Sequence, residues 1–278
     1  MKDRGDLRAA VEVDLIEDGT IVPTRECSIL ASVNDSRSVA GEEIRLLRAK
    51  LQRICKARAL SCIALSSALP GEGKSTVAVG LAAALAREAK GRVLLVEADL
   101  RRPTISEALG LAPAPGLSEW LNDGLSRIPV RRIGHGGFFL LVAGQAPLSR
   151  PEALGTPAME ALLRAARRDF DFVLVDTPPV LSVADTILLQ DLLDGFILVV
   201  RSRLTPRDAI VEAVGRLDPG KVLGLVLNDH REYRHSYASY AYERYGMTYG
   251  ASPWSGDRKS QASRSPVQPR APSAPRRR

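Results

Sequence analysis

Six short apolar runs constrain this chain more than any other feature: LSCIALS (60–66), RVLLVEAD (92–99), FFLLVAG (138–144), FDFVLVDTPP (170–179), GFILVV (195–200) and VLGLVLND (222–229). Continuous Val/Ile/Leu runs without polar alternation read as strands covered on both faces. Helical stretches such as KSTVAVGLAAALAREAKG and TPAMEALLRAARRD stand between them. Strands alternating with helices join as parallel neighbours through crossovers. The expected fold is therefore α/β, a mainly parallel sheet flanked by helices in a three-layer sandwich, over residues 38–230. Residues 1–37 show weak patterning and are expected to be an irregular N-terminal arm.

The chain has 278 residues, 45% of them hydrophobic, which is ample for one sizeable core. Cys27, Cys55 and Cys62 show no metal-ligand spacing, which points to reduced thiols in a cytosolic compartment. No run reaches the length of a membrane span, and the N-terminus has no apolar signal core. The net charge of +7 is concentrated at the end: from Asp257 onward seven Lys/Arg oppose one Asp, and the body is nearly neutral. No nucleic-acid partner is expected from that distribution. Residues 251–278, rich in Ser, Pro and Arg, are expected to be a disordered basic tail.

The stretch ALPGEGKST, Ala68–Thr76, follows the first apolar run and opens a helical one. That is the setting of a phosphate-binding loop of the Walker A type, with Ala68 where the first Gly usually stands. Pro70, Gly71, Glu72, Gly73, Lys74, Ser75 and Thr76 form the expected cradle. Its backbone N–H groups and the helix start hold phosphates, Lys74 adds a cation at the β/γ oxygens, and the Ser75 hydroxyl suits Mg²⁺. The implied ligands are ATP and Mg²⁺. Such a loop needs carboxylates, and two apolar runs supply them at their ends: VLLVEADLRRP gives Glu97 and Asp99, and FVLVDTPPV gives Asp176. Acids closing apolar strands are costly unless a cation or hydrogen bonds compensate them.

All six tyrosines fall between residues 231 and 250: Tyr233, Tyr237, Tyr240, Tyr242, Tyr245 and Tyr249. On a helical wheel the first three cluster on one side and the last three on the opposite side, so they form no single buried stripe. The segment has no Leu, Ile, Val or Phe to pack with, and Gly246 and Gly250 interrupt a helix. Exposed phenols are expected. His135, His230 and His235 are scattered, and Trp120 reads as helix packing.

Together LPGEGKST, the second acidic motif LLVEADLRRP, DFVLVDTPPV, the tyrosine cluster and EEIRLLR resemble the bacterial tyrosine kinases of capsule and exopolysaccharide synthesis (BY-kinases) over residues 38–250. PLSRPEALG, 147–155, is also similar to the family's segment before the Walker B crossover. The resemblance implies a P-loop NTPase that uses Mg·ATP to phosphorylate its own terminal tyrosines between subunits of a ring-like homo-oligomer. Its implied partners are a membrane polysaccharide co-polymerase and a tyrosine phosphatase, with the chain cytoplasmic and peripheral to the inner membrane. Glu42, Arg45 and Arg48 match the family's ExxRxxR motif, which implies an oligomer contact, although pairing within one helix explains the same spacing. Asp99 and Asp176 take the magnesium-linked roles, and Asn228 resembles the residue that meets the base in related ATPases. Glu97 stands where the family has Asp and is the candidate for the phenol proton.

Two other classes stay open from residues alone. A MinD/ParA-type ATPase switch would carry an extra lysine early in the loop, where this chain has Leu69. An ATP-binding scaffold with weak kinase activity is kept open by Glu97.

Overall fold

Eight strands form one sheet in the order β1-β4-β5-β3-β6-β2-β7-β8. The strands are β1 (Asp14–Ile21), β2 (Cys62–Ser67), β3 (Val93–Glu97), β4 (Arg127–Ile133), β5 (Phe139–Leu141), β6 (Phe172–Asp176), β7 (Gly195–Arg201) and β8 (Val222–Asn228). All pairings are parallel except β4 with β5, so β1 and β4 run against the other six. The helices are α1 (Ser28–Asn34), α2 (Val39–Arg58), α3 (Lys74–Glu88), α4 (Ile105–Ala108), α5 (Leu117–Asp123), α6 (Pro157–Asp169), α7 (Asp185–Leu188) and α8 (Arg207–Arg216). This computed structural model describes residues 14–23, 27–35, 37–88, 92–123, 127–134, 137–145 and 153–229. The tyrosine cluster (231–250), the basic tail (251–278) and His135, His230 and His235 lie outside the described residues, as does part of PLSRPEALG.

The period of two along each strand sends alternate residues to two cores. One face carries Cys62, Ala64, Leu94, Val96, Val173, Val175, Phe196 and Leu198, covered by Trp120 of α5, Leu162 and Leu163 of α6, and Ala213 of α8. The other carries Ile63, Leu65, Val93, Leu95, Leu174, Ile197 and Val199, covered by α1, α2, α3 and α4. Helix–sheet–helix layering follows, and the central strands β2 and β3 are buried at every position. The expected three-layer α/β fold is the one observed. No described helix is long and apolar enough to cross a membrane.

The N-terminal segment departs from expectation. Within residues 1–37, expected to be an irregular arm, β1 pairs with β4 at one sheet edge and α1 packs on the helical layer. An edge strand has only one neighbour and needs no continuous apolar run, so DLIEDGTI gives little strand signal. Helix α1 is seven residues long and holds on by tertiary contacts: Ile29 and Val33 are buried. Gly41 of α2 makes room for it, since a Cβ there would sit 2.1 Å from the Ser32 carbonyl oxygen. Two arginines then bind its C-terminal carbonyls: Arg45 Nη1 donates to Val33 O at 3.4 Å, and Arg87 Nη1 to the same oxygen at 3.2 Å.

Candidate nucleotide and phosphotransfer site

Parallel strands bring their C-terminal ends to one edge of the sheet, and the expected acids meet there. The loop between β2 and α3 turns through Gly71 (φ +81°) and Gly73 (φ +89°), a backbone region where a side chain is strained. Pro70 and Gly71 are exposed at its crown, while Glu72, Lys74 and Ser75 are buried beneath. Lys74 and Ser75 are the first residues of α3, so the N–H groups of its first turn have no partner within the helix. Asp176 ends β6, in register with Glu97 at the end of β3, and Asp99 follows two residues later. The structure therefore assembles Lys74, Ser75, Asp99 and Asp176 into one buried cluster.

The Lys74 ammonium lies 2.8 Å from Asp99 Oδ2 and 3.6 Å from Asp176 Oδ1. It also donates to Ser75 Oγ at 3.3 Å, and that hydroxyl donates to Asp176 Oδ2 at 2.7 Å. Burial disfavours the ammonium, but the Asp176 and Asp99 carboxylates more than offset it, and the Lys74 pKa stands above its ordinary value. Burial likewise raises Asp176. Lys74 and Ser75 pull it down, Glu97 and Asp99 push it up, and the net result is about 6. Asp176 Oδ1 is buried and receives no hydrogen bond. The Ser75 hydroxyl and the Asp99 and Asp176 carboxylates are hard oxygen donors of the kind Mg²⁺ takes, and the Asp176 oxygen without a hydrogen bond is compatible with such a ligand.

Glu97 lies in a different setting. It is fully buried, and its Oε1 accepts from the Ile105 N–H at 2.7 Å. Its Oε2 accepts from Ser106 Oγ at 3.2 Å and from the Ala143 N–H at 3.1 Å. The carboxylate ties the end of β3 to the start of α4 and to the segment after β5. These bonds use three of the carboxylate's four lone-pair positions, so Glu97 is held chiefly as a tie between those segments.

Asn228 closes β8 and turns its amide to the phosphate loop, where Nδ2 donates to the Glu72 carbonyl at 2.9 Å. Glu72 itself accepts from the Leu69 N–H at 2.9 Å and pairs with the Thr205 hydroxyl. In the ExxRxxR motif, Arg45 Nε bonds Glu42 Oε2 at 2.8 Å within α2, and burial lowers the Arg48 pKa, with Arg45 adding to that effect. Helix α2 exposes Leu46 beside this motif.

Three contributors escaped the reading of the chain. Arg101 reaches Asp185 at the start of α7 with two bonds, Nε to Oδ2 at 2.9 Å and Nη2 to Oδ1 at 3.2 Å. The pair fastens the loop after β3 to the loop after β6, the two segments that carry Asp99 and Asp176. The doubled arginine in DLRRP was the only local signal for it. Thr205 had none, because its partner Glu72 lies 133 residues away in sequence.

A family model described as "ParA: NUBPL iron-transfer P-loop NTPase" matches residues 59–218. The tyrosine-protein kinase YwqD of Bacillus subtilis is 32% identical over 212 residues, spanning 75% of this chain and 89% of that protein. A putative tyrosine-protein kinase EpsB of Ralstonia solanacearum is 34% identical over 252 residues, which is 87% of this chain and 33% of that longer protein. Among solved structures, the kinase domain of the Escherichia coli tyrosine kinase ETK matches with a TM-score of 0.65 at 30% identity, covering 72% of this chain and 79% of that one. With the loop, the acids and the sheet order in place, these likenesses mean that the chain belongs to the bacterial tyrosine-kinase family of P-loop NTPases.

Proposed function

We propose that this protein is an ATP-dependent protein-tyrosine autokinase whose substrate is its own tyrosine cluster, Tyr233 to Tyr249. The observation that carries the reading is the buried set Lys74, Ser75, Asp99 and Asp176 at one end of a sheet whose last strand, β8, leads directly into that cluster. Lys74 leaves its two carboxylates for the β/γ oxygens of ATP, and the first-turn N–H groups of α3 hold the same phosphates. Ser75, Asp99 and Asp176 would hold Mg²⁺, which supplies charge neutralisation between the phosphates. The phenol oxygen of a tyrosine bonds to the γ-phosphorus as the bridge to the β-phosphate breaks. ADP leaves, and a carboxylate of the Asp99/Asp176 pair receives the phenol proton.

The transfer is proposed to run in trans within a homo-oligomer, as the family resemblance implies. Helix α2, with Glu42, Arg45, Arg48 and the exposed Leu46, is the proposed contact between copies. The name of one relative, the succinoglycan biosynthesis transport protein ExoP of Rhizobium meliloti, supports a role in polysaccharide polymerisation and export. That role implies a membrane co-polymerase as partner, a tyrosine phosphatase as antagonist, and a cytoplasmic location at the inner membrane. An anti-phosphotyrosine blot after incubation with Mg·ATP tests the activity. A signal is expected that disappears with Lys74→Ala and with truncation at Arg231; its absence from the wild type would refute the reading.

A further inference from the structure

We infer that Asn228 is a positioning residue that acts on the nucleotide's phosphates through the phosphate loop. The inference rests on the reading of that loop as a nucleotide site. Its Nδ2 donates to the Glu72 carbonyl at 2.9 Å, and it lies so close that a Cβ on Gly73 would be 2.1 Å from it. The amide nitrogen therefore sits against the peptide joining Glu72 to Gly73. A trans peptide points its C=O and its N–H in opposite directions. Fixing the Glu72 oxygen consequently fixes where the Gly73 N–H points, and that N–H is one of the donors of the phosphate cradle.

The same peptide is held from its other side. The buried Glu72 carboxylate takes the Leu69 N–H and pairs with the Thr205 hydroxyl, which also accepts the Arg201 N–H at 3.0 Å. Arg201 then returns to the strand that carries Asn228: its Nε and Nη2 donate to Asp229 Oδ2 at 3.1 and 2.9 Å, and the Ser202 N–H donates to Asn228 O at 2.8 Å. The ends of β7 and β8 and the phosphate loop thus form one hydrogen-bonded unit. The Nδ2 bond to the Glu72 carbonyl ties the end of β8 to the backbone of the loop, so losing the amide should disturb the loop's N–H groups whichever nucleotide is bound.

Calorimetric titration of the full chain with ADP and with inorganic tripolyphosphate separates this role from a contact with the base, because tripolyphosphate has no base. For Asn228→Ala both ligands are expected to weaken by the same factor, about tenfold, the worth of one hydrogen bond in a buried site. Asn228→Asp should weaken both at least as much, since it sets an acceptor against the Glu72 carbonyl. Thr205→Val, which removes only the hydroxyl partner of Glu72, should weaken both as well and serves where the Asn228 variants do not fold. Loss for ADP with tripolyphosphate unchanged would make Asn228 a base contact and overturn the inference, as would unchanged binding of both. Failure of the wild type to bind either ligand would instead refute the nucleotide reading beneath it.

Discussion

Asp176 and Asp194 stand on either side of β2, at opposite ends of the sheet, and are held in opposite ways. Asp194 precedes β7. Its Oδ2 accepts the N–H groups of Ser61 and Cys62 at 2.9 and 2.8 Å, and its Oδ1 accepts from Arg167 Nη2 at 2.9 Å. Burial alone would raise its pKa, but those two N–H bonds and the Arg167 guanidinium hold it below the ordinary 3.8. Asp176 ends β6 with one oxygen lacking any hydrogen bond and two other carboxylates nearby, and it stands at about 6. The contrast separates two uses of one residue type. A carboxylate whose lone pairs are filled fastens strands, whereas one that is buried, crowded and partly unfilled is kept for a ligand.

The largest expected effect tests that distinction at Asp176. Asp176→Asn should reduce tyrosine phosphorylation by at least about 10²-fold, since a neutral amide loses the charge that holds a metal. It should not lower the melting temperature, because it removes a charge repelled by Glu97 and Asp99 while Lys74 keeps its 2.8 Å pair with Asp99. Lys74→Ala makes the opposite change and leaves Asp99 and Asp176 buried without their cation, at a cost of about 3 kcal/mol. A melting temperature that falls in Asp176→Asn as far as in Lys74→Ala would show that Asp176 fastens the fold as Asp194 does, and would erase the proposed difference between the two ends.

Asp194→Ala should destabilise without touching chemistry. It leaves two backbone donors at the start of β2 unfilled, which costs about 2 kcal/mol in urea unfolding at neutral pH. Phosphorylation per folded molecule should be unchanged. The pH dependence has a definite sign: a carboxylate whose native pKa is depressed adds stability that is full above its unfolded value of about 4 and lost as pH falls through the native value. The gap between wild type and Asp194→Ala should therefore close below pH 4. A gap that widens with acid would show that the N–H bonds do not favour the charged form.

Glu97 sharpens the comparison, because it lies in register beside Asp176 yet is held like Asp194. Its position in the acidic motif suggests that Glu97→Asp would be harmless or helpful, restoring the family's shorter acid. The geometry predicts otherwise. Shortening the side chain by one methylene withdraws it from the Ile105 N–H at 2.7 Å and from the Ala143 N–H at 3.1 Å. A loss of about 1 kcal/mol in stability and about tenfold in phosphorylation is expected, the latter because Asp99 follows on the same loop. Phosphorylation above the wild-type rate in Glu97→Asp would return Glu97 to the role of proton acceptor.

What the chain revealed by itself follows a physical line. Six strands were legible because β2, β3, β5, β6, β7 and β8 are runs of Val, Ile, Leu and Phe, most of them covered on both faces. The strands β1 and β4 were not, since DLIEDGTI and RIPVRRI carry charges, and the β4 proline, Pro129, stands where β4 pairs with β1 but not with β5. Within the site, Lys74, Ser75, Asp99 and Asp176 were legible because a phosphate loop demands those types at strand ends. Asp194, Thr205 and Asp185 were not: any strand-end Asp or loop Thr looks the same until partners more than 80 residues away are known. Asn228 was singled out, but the atom it touches could be found only in three dimensions.

The smallest expected effect concerns Arg45, whose family position suggests contact between copies and whose head group is occupied within its own chain. Its Nε bonds Glu42 at 2.8 Å, and its Nη1 reaches Val33 O at 3.4 Å and Asp35 O at 3.5 Å at the end of α1. Arg45→Ala should loosen α1, seen as faster hydrogen exchange of its amides, at a cost of about 0.5–1 kcal/mol. The cost stays small because Arg87 keeps its 3.2 Å bond to Val33 O. Arg48 makes the informative comparison, since it shares the motif with Arg45: Arg48→Ala should lower self-association in sedimentation. If Arg45→Ala abolishes association while α1 remains protected, Arg45 acts between copies and its bonds to α1 are incidental. If instead both variants sediment as the wild type does, helix α2 is not the contact, and the exposed edge at Leu225 and Leu227 of β8 becomes the surface to test next.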